Sequence, residues 1–371
     1  MLTQAGMKTA VVLNSAQGRY IRGADEWVQA TARAVEHLAE RPGTELIASV
    51  GLPNWELPAG LAAECPVQFA LILPGRDNAA GNRYFNRIAE SFGLDRSRTR
   101  PVFTGDHSLE AFRPARDRLA LEIVDTIYPV SIRPGGRLDP LLERAAAAEK
   151  SICNDFRIPW QRKHWRPFYD FSNLCLNSGV EELTRNRLIH WTHSWPGPWP
   201  WESHRDFYRD LIAHPEIHVR SARESLARIA AEKKIRASSW KMPQGELTVS
   251  FTALPAGRSV ELMAWRRSLA RYSFEPFGVA VSTSALIRLG CRPVEYFTGQ
   301  NTRPEGPDLP FGQGEGQNEP WSREQEWRLK GDLDLSGLPT GSVLFLACAP
   351  EDVEYIKVKR PVPWPVVNLF T

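Results

Sequence analysis

Residues 9–18 read TAVVLNSAQG, an apolar run that ends in small and polar residues. Five apolar or β-branched residues in a row predict a strand buried on both faces, as in a parallel sheet covered by helices. The polar residues that follow predict a loop at the carboxyl end of that strand. This segment therefore predicts the first strand of an α/β domain.

Further apolar runs of strand length follow, with helix-period segments between them. They span residues 46–50, 67–73 and 126–132. After the first run, Asp25 can cap a helix. Its buried stripe would comprise Trp27, Val28, Thr31, Val35 and Leu38. The alternation predicts an α/β doubly wound parallel sheet within a domain over residues 1–150.

Three loops at the predicted carboxyl edge of this sheet have the composition of a phosphate site. In doubly wound sheets, ligands bind at that edge, where loops lead into helix N-termini. The last loop, residues 133–137, reads RPGGR, in which glycines allow close backbone approach and arginines can pair with phosphate. The same glycines could equally form a simple turn. Candidate ligand-binding residues in the three loops are Ser15, Gln17, Gly18, Arg19, Gly51, Gly135, Gly136 and Arg137.

Over about residues 8–150 the sequence resembles the SLOG superfamily, which includes DNA-processing protein A and the lonely-guy phosphoribohydrolases. The resemblance rests on residues 15–18, 82–89 and 134–136, and on Arg116 and Asp117, which it places before a helix. It implies a Rossmann-like nucleotide-binding domain and adds Arg116 to the candidate ligand-binding residues. Taken singly, Arg116 and Asp117 could instead be solvated helix charges.

The lonely-guy signature Pro-Gly-Gly-x-Gly-Thr-x-x-Glu is incomplete in this chain. Its later glycine, threonine and glutamate positions hold Leu138, Asp139 and Leu142. Glu143 lies one residue late, on a different azimuth of the predicted helix. These departures remove residues that the hydrolase activity uses, so they argue against that activity here. Nucleotide binding is shared more widely in the superfamily and does not depend on them.

The second part of the chain differs in composition from the first. Eleven of the 13 tryptophans lie beyond residue 150. Regular strand–helix alternation gives way to short strands, helices and proline-rich joints. We therefore predict a junction over residues 151–184 and an α+β domain with a mostly antiparallel sheet over residues 185–371.

Two histidines lie in residues 188–195, which read LIHWTHSW. On a strand, His190 and Thr192 would point to one face and Trp191 and His193 to the other. The two histidines are close enough for a metal site, but no acidic or cysteine ligand stands at a helpful spacing, so no metal is expected. We expect His193 to be structural.

A second polar segment follows a long stretch that is rich in Gly and Pro. Residues 300–320 predict a mobile surface loop. Residues 321–329 then read WSREQEWRL, and on a strand that begins near Gln325, Glu326 and Arg328 would share one face. This pair could be an exposed ion pair or part of a functional site.

The order of these elements over about residues 185–357 resembles the ADP-ribosyltransferase fold, particularly its DarT-type branch. The Trp-x-x-Glu-x-Glu-Trp-Arg segment also resembles an uncharacterised bacterial family associated with phage defence. The transferase resemblance implies NAD as substrate, with Glu326 and His190 as catalytic residues. Glu326 would stabilise oxocarbenium character on the ribose, and His190 would hold the adenosine ribose. Trp191 or Trp240 would stack on a ring and Arg328 would bind the diphosphate.

Composition argues against several classes of protein. The formal net charge is +3, from 46 basic and 43 acidic residues, without the concentrated positive charge of a dedicated nucleic-acid binder. Five scattered cysteines without a Cys-x-x-Cys pair indicate a reducing compartment. No apolar run approaches the ~20 residues of a membrane span, and no export signal is evident, so we expect a cytoplasmic protein.

The leading hypothesis is a nucleotide sensor coupled to an NAD-using transferase or glycohydrolase-like domain, as in a bacterial conflict system. Its ligand or substrate would be NAD or another nucleotide, with no covalently bound cofactor. One alternative is a regulator that binds nucleotides without catalysis. Another is a nucleoside-monophosphate phosphoribohydrolase that uses Arg116, Gly135, Gly136 and Glu143. Catalysis at the second site requires His190 and Glu326 to open into one cleft.

Overall fold

The computed structural model describes residues 7–105, 108–162, 164–172, 174–240, 242–297, 306–315, 321–359 and 362–371. The chain divides into two compact units. Unit 1 comprises Met1–Arg166 and Pro196–Val219, and unit 2 comprises Pro167–Trp195 and Arg220–Thr371. Residues 196–219, which lie inside the second domain predicted from sequence, belong to unit 1 because Phe207, Tyr208 and Leu211 are buried in its core.

Helices and strands are numbered here along the described chain. The α-helices are α1 (Glu26–Ala39), α2 (Pro53–Ala62), α3 (Ala79–Phe92), α4 (Leu109–Ile123), α5 (Asp139–Ala147), α6 (Val180–Thr184), α7 (His204–Ala213), α8 (Ala222–Glu232), α9 (Ala256–Val260), α10 (Thr283–Arg288) and α11 (Pro350–Lys359). The strands of unit 1 are β1 (Lys8–Asn14), β2 (Thr44–Ser49), β3 (Gln68–Leu73), β4 (Thr99–Phe103), β5 (Thr126–Ile132), β6 (Ser151–Ile152) and β7 (Ile158–Pro159). The strands of unit 2 are β8 (Arg187–Trp191), β9 (Lys234–Ile235), β10 (Thr248–Thr252), β11 (Trp265–Arg266), β12 (Arg271–Tyr272), β13 (Gly278–Ser282), β14 (Arg292–Pro293), β15 (Glu295–Phe297), β16 (Gly312–Gly314), β17 (Glu326–Lys330), β18 (Leu333–Asp334), β19 (Val343–Ala347) and β20 (Val366–Asn368). No helix among the described residues has the length and apolar character needed to cross a bilayer.

Unit 1 contains the predicted parallel α/β sheet. Its strands lie in the order β4-β3-β2-β1-β5-β6, and β7 also pairs with β5. Every described pairing in this sheet is parallel. The pattern of apolar runs missed β4, because Arg100 and Pro101 interrupt its short run at the edge of the sheet, where proline is tolerated.

Side chains of β1 point alternately to the two faces of this sheet, and helices cover both faces. Ala10 and Val12 pack in one core with α1, α2 and α3, whereas Val11 and Leu13 pack in another with α4 and α5. The chain therefore changes face after β4, and β5 returns beside β1. The carboxyl ends of β1 and β5 form the topological switch point, where doubly wound sheets bind ligands.

Helix α1 carries the predicted apolar stripe, since Trp27, Val28, Thr31, Val35 and Leu38 are all buried. The capping prediction for Asp25 was wrong in its mechanism. Asp25 occupies the N-cap position, but its side chain makes no cap hydrogen bond to the helix. Instead its carboxylate accepts from the Arg22 backbone N–H at 2.9 Å and pairs with the Arg22 guanidinium at 3.1 Å.

Unit 2 contains the predicted mostly antiparallel sheet, in the order β14-β17-β10-β8-β13-β19-β20. Among its described pairs, β19 and β20 run parallel and the others antiparallel. Of the predicted mobile loop, residues 300–305 and 316–320 lie outside the described residues. Within the described part, Gly306–Phe311 forms a 3-10 helix whose Leu309, Pro310 and Phe311 are buried, so this part of the prediction was wrong.

Candidate functional site

Ser15 joins the loops that follow β1 and β5 at the switch point. Its backbone N–H donates to the Ser131 carbonyl at 2.8 Å, and its hydroxyl oxygen accepts from the Arg133 N–H at 2.9 Å. Ser15 itself is buried. The two loops with the most polar sequences are thus held side by side at the carboxyl edge of the sheet.

The Gly51 loop is attached to the same edge. The Asn54 side-chain amide donates to the Asn14 carbonyl at 2.6 Å, and Arg116 Nη1 donates to the Val50 carbonyl at 3.4 Å. Gly51 has a φ of +91°, a backbone conformation that favours glycine. Loops from β1, β2 and β5 are therefore connected by hydrogen bonds around the switch point.

Arg116 and Asp117 lie in the middle of α4, not before a helix as the superfamily resemblance implied, and they are buried rather than solvated. Arg116 Nε and Nη2 donate to Asp117 Oδ1 at 3.0 and 2.9 Å. The guanidinium carbon lies 4.5 Å from the centroid of the Trp55 ring and 5.6 Å from that of Phe112. Burial lowers the pKa of Arg116, against the opposing effect of Asp117. Arg116 is 1% exposed, so it supports the loops and offers no surface to a ligand.

Two arginines remain at the rim of the switch point. Arg137 is 49% exposed, and its Nε lies 2.9 Å from Asp117 Oδ2, which anchors it to the buried pair. Arg133 is exposed, and its guanidinium carbon lies 5.4 Å from the Trp160 ring centroid. Arg19, in contrast, is partly buried, with its guanidinium 5.8 Å from the Tyr20 ring. Sequence reasoning had not singled out Arg133 and Trp160 as a pair, because β7 brings them together from distant parts of the chain.

The glycine amides at this rim already have acceptors. Gly51 N–H donates to Glu56 Oε1 at 2.7 Å, and Gly135 N–H donates to Asp139 Oδ2 at 2.8 Å. Gly136 N–H donates to the Arg133 carbonyl at 2.9 Å. A phosphate that used the Gly51 or Gly135 amide would therefore replace a carboxylate of the protein itself.

The other residues of the first predicted site have different roles. A Cβ at Gly18 would lie 2.3 Å from His164 Cβ, so close packing requires glycine there. Gly135 has a φ of +66°, which a turn requires. Glu143 is exposed on α5, whereas Leu142, at the family's catalytic glutamate position, is buried in the core.

Two described cavities lie away from this rim. One, of about 590 Å³, lies at the start of α3 and is lined by Gly75, Arg76, Asn78 and Tyr84 among others. The second, of about 540 Å³, is lined partly by β4. Neither lining includes Ser15, Gly51 or Gly135.

In unit 2, the strand register separates His190 from Glu326. Thr252 on β10 pairs with Glu326 on one side and with Ile189 on the other, so these three residues share a face of the sheet. His190 follows Ile189 and therefore points to the opposite face, where its ring packs against Phe251 at 5.9 Å. The structure thus does not bring the two proposed catalytic residues into one cleft.

His190 is held by the backbone of β10. Its Nδ1 lies 2.8 Å from the Ser250 carbonyl, which can only accept, so Nδ1 carries a proton. Burial lowers the pKa of His190 despite this hydrogen bond. The side chain is therefore neutral near pH 7, with Nε2 as an acceptor.

Glu326 and Arg328 share a face, as the alternation within one strand predicted. Arg328 Nε and Nη2 donate to Glu326 Oε1 and Oε2 at 2.9 and 2.8 Å, and the Ser250 hydroxyl donates to Oε1 at 2.6 Å. The pair is not the exposed ladder considered from sequence, since the side chains of Arg328 and Glu326 are only 4% and 17% exposed. Both carboxylate oxygens of Glu326 are thus already engaged.

The aromatic candidates of unit 2 are also engaged within the protein. Trp191 is 3% exposed and packs over Gly278 and against Phe274. Trp240 lies beneath the Arg271 guanidinium at 4.1 Å.

His193 has a pKa well below its ordinary value, because it is buried and stands near Arg271. Among the described residues, no group of three or more His, Cys, Asp or Glu side chains could hold a metal ion.

Sequence reasoning did not identify the ion pair of Glu324 and Arg266. Glu324 Oε1 lies 2.7 Å from Arg266 Nη2, with side chains 18% and 14% exposed. Arg266 also lies 4.6 Å from the Trp321 ring. Burial, with the charge of Glu326, raises the pKa of Glu324 to about 7 against the opposing effect of Arg266. No local sequence pattern indicates this pair, because Arg266 comes from the distant β11–β12 hairpin.

Glu324 is therefore expected to make stability depend on pH. Its pKa in the folded chain lies above its ordinary value of 4.5, so the folded state holds the proton more tightly than the unfolded chain. The contribution is complete below about pH 4.5 and is lost as the pH rises through 7, a change of about 2–3 kcal/mol. Chemical denaturation of the protein and of Glu324→Gln from pH 4.5 to 7.5 measures it. Glu324→Gln should show a flatter dependence of stability on pH than the unchanged protein, and the exposed Glu261→Gln should not. Parallel profiles for Glu324→Gln and the unchanged protein would contradict the prediction.

No protein-family model matches the chain, and no curated protein matches it. Among solved structures, the chain has a weak similarity to DNA processing protein A from Streptococcus pneumoniae, with a TM-score of 0.30 and 13% identity. The similarity covers 39% of this chain and 49% of that protein, so it spans about half the length of the relative.

Proposed function

We propose that unit 1 binds a nucleotide at the switch point between β1 and β5, and that the protein acts as a nucleotide-sensing regulator. The observation that carries this proposal is the connection of the two loops through Ser15 and Arg133, with Arg133 and Arg137 exposed at the rim. Arginine side chains bind phosphate through charge-assisted hydrogen bonds. The position is the one at which doubly wound sheets bind ligands.

Contacts within the protein hold both exposed arginines in place, which supports their proposed role as phosphate ligands. Arg137 is held by Asp117, whose carboxylate is also paired with Arg116, so its position at the rim is fixed before a ligand arrives. The ring of Trp160 supports Arg133 in the same way. Pre-positioned cations bind an anion with less loss of side-chain entropy than mobile ones.

The regulator is favoured over both enzymatic alternatives for geometric reasons. The transferase mechanism needs His190 and Glu326 in one cleft, but the register of β8, β10 and β17 puts them on opposite faces. The phosphoribohydrolase mechanism needs Glu143 to reach the sugar, but Glu143 is exposed on α5, one residue after the buried Leu142 at the family's glutamate position. NAD stays among the ligands to be tested, since the transferase resemblance implies it. A role in a bacterial conflict system stays part of the proposal for a nucleotide-sensing regulator.

Replacement of both rim arginines, as Arg133→Ala with Arg137→Ala, should weaken nucleotide binding at least about tenfold, because two phosphate contacts are lost. Isothermal titration calorimetry with AMP, ATP, NAD and inorganic phosphate measures this. The control is Arg144→Ala, an exposed arginine on α5, which should bind as the unchanged protein does. Equal binding by the double variant, or no binding of any of these compounds, would overturn the proposal.

A separate assay tests the absence of turnover. The protein is incubated with NAD and with nucleoside monophosphates, and the release of nicotinamide and free base is followed. We expect no release beyond that seen without protein. Release that disappears in Glu326→Gln or in Glu143→Gln would restore the corresponding enzyme hypothesis.

A further inference from the structure

Two polar atoms at the carboxyl end of β1 are buried without a hydrogen-bond partner. They are Asn14 Oδ1 and Gln17 Nε2, one an acceptor and the other a donor. Asn14 is 1% exposed and is the last residue of β1, directly before Ser15. Buried polar groups in folded proteins are nearly always paired, so these two atoms need an explanation.

The orientation of the Asn14 amide follows from its neighbours. The Thr31 hydroxyl donates its single proton to the Trp27 carbonyl at 2.7 Å. It can therefore only accept from Asn14, and Asn14 Nδ2 lies 2.9 Å from it. Rotation of the amide would place two acceptors together, so Oδ1 is fixed as the atom that points away from Thr31.

The residue that carries this acceptor adjoins the site proposed above. The Asn14 carbonyl accepts from Asn54, which ties it to the Gly51 loop, and the adjacent Ser15 is bonded to Arg133. A third buried atom without a partner, the donor Trp160 Nε1, belongs to the ring beneath the Arg133 guanidinium. Trp160 Nε1 thus belongs to a ring beside Arg133, and Asn14 Oδ1 and Gln17 Nε2 belong to the residues on either side of Ser15, which is bonded to Arg133.

We propose that these groups bind the sugar of the nucleotide, with one ribose hydroxyl donating to Asn14 Oδ1 and its neighbour accepting from Gln17 Nε2. This inference rests on the proposed function and names the part of the ligand that the arginines do not bind. A phosphate monoester is mostly a dianion near neutral pH and is therefore a poor donor to Asn14, whereas vicinal hydroxyls both donate and accept. Both atoms are covered, so the Gln17 side chain moves aside when the ribose enters, while the bonds of Ser15 to Ser131 and Arg133 stay in place.

The test compares AMP with its 2′-deoxy and 3′-deoxy forms by calorimetry. A site built to bond a hydroxyl discriminates against a ligand that lacks it, so at least one deoxy form should bind about tenfold more weakly. In Asn14→Leu this preference should fall to nearly one. Gln17→Ala, in a loop where folding is less at risk, should reduce it as well.

Thr31→Ser is the matched control, because it removes a buried methyl group beside Asn14 but keeps the hydroxyl that orients Oδ1. It should keep the preference for ribose, so a loss there would assign the effect to structure and overturn the inference. Equal binding of AMP and both deoxy forms by the unchanged protein would also overturn it, with Oδ1 then satisfied by water, while the nucleotide site would stand. Failure of AMP, ATP, NAD and inorganic phosphate alike to bind would instead reject the proposed function.

Discussion

Replacement of Glu326 by alanine is expected to lower the free energy of unfolding of unit 2 by about 3–5 kcal/mol. Arg328 is only 4% exposed and donates to both oxygens of Glu326. Its other acceptors are the neutral carbonyl oxygens of Pro310 and Gly312 and the side-chain oxygen of Gln313. Without Glu326, a buried guanidinium would lose its only described carboxylate partner. That loss costs more than the pair contributes when both members are present.

Hydrogen exchange on peptides that span Glu326–Lys330 gives the local free energy of opening, and chemical denaturation gives the overall effect. The control is Glu354→Ala, which removes an exposed ion pair with Lys357 and should change stability by less than about 0.5 kcal/mol. The double variant Glu326→Leu with Arg328→Met should recover part of the loss, since neither charge remains buried. A change below about 1 kcal/mol in Glu326→Ala would show that the pair is not structural.

The outcome bears directly on the transferase hypothesis. A catalytic carboxylate is commonly dispensable for stability, whereas a carboxylate that neutralises a buried arginine is not. The three hydrogen bonds to Glu326 from Arg328 and Ser250 fit the second case. A large loss of stability would therefore assign Glu326 to the architecture of the sheet.

Periodicity within one element was predictable from sequence. The strands β1 and β5 were located from their apolar runs, and the stripe of α1 was correct. The common face of Glu326 and Arg328 followed from the two-residue period of a strand. Each of these inferences uses neighbours along the chain, where geometry is fixed by the backbone.

Register between strands was not predictable. His190 and Glu326 lie on β8 and β17, which are separated by β10, so their relative faces depend on two pairings. A shift of one residue in either pairing would reverse the result, and the sequence does not specify that shift. The same limit applies to the burial of Arg116, which depends on Trp55 some sixty positions earlier in the chain.

Replacement of Asp117 by alanine should destabilise unit 1 by about 3–5 kcal/mol and weaken nucleotide binding at the same time. Asp117 is 2% exposed and neutralises Arg116, which is itself 1% exposed. Its loss would leave a buried guanidinium against two aromatic rings and the Val50 carbonyl. It would also release Arg137, which the proposed function places on the ligand's phosphate.

Denaturation and calorimetry on the same samples separate the two effects. Glu64→Ala removes an exposed pair with Arg205 in the same unit and should leave both measurements nearly unchanged. Arg137→Ala should weaken binding with a smaller loss of stability, because Arg137 is half-exposed and Asp117 keeps Arg116 as its partner. If Asp117→Ala lost binding without loss of stability, Asp117 would contact the ligand itself. If it lost stability but kept full affinity, the anchoring of Arg137 by Asp117 would not contribute to binding, and Arg137→Ala would decide whether Arg137 itself contacts the phosphate.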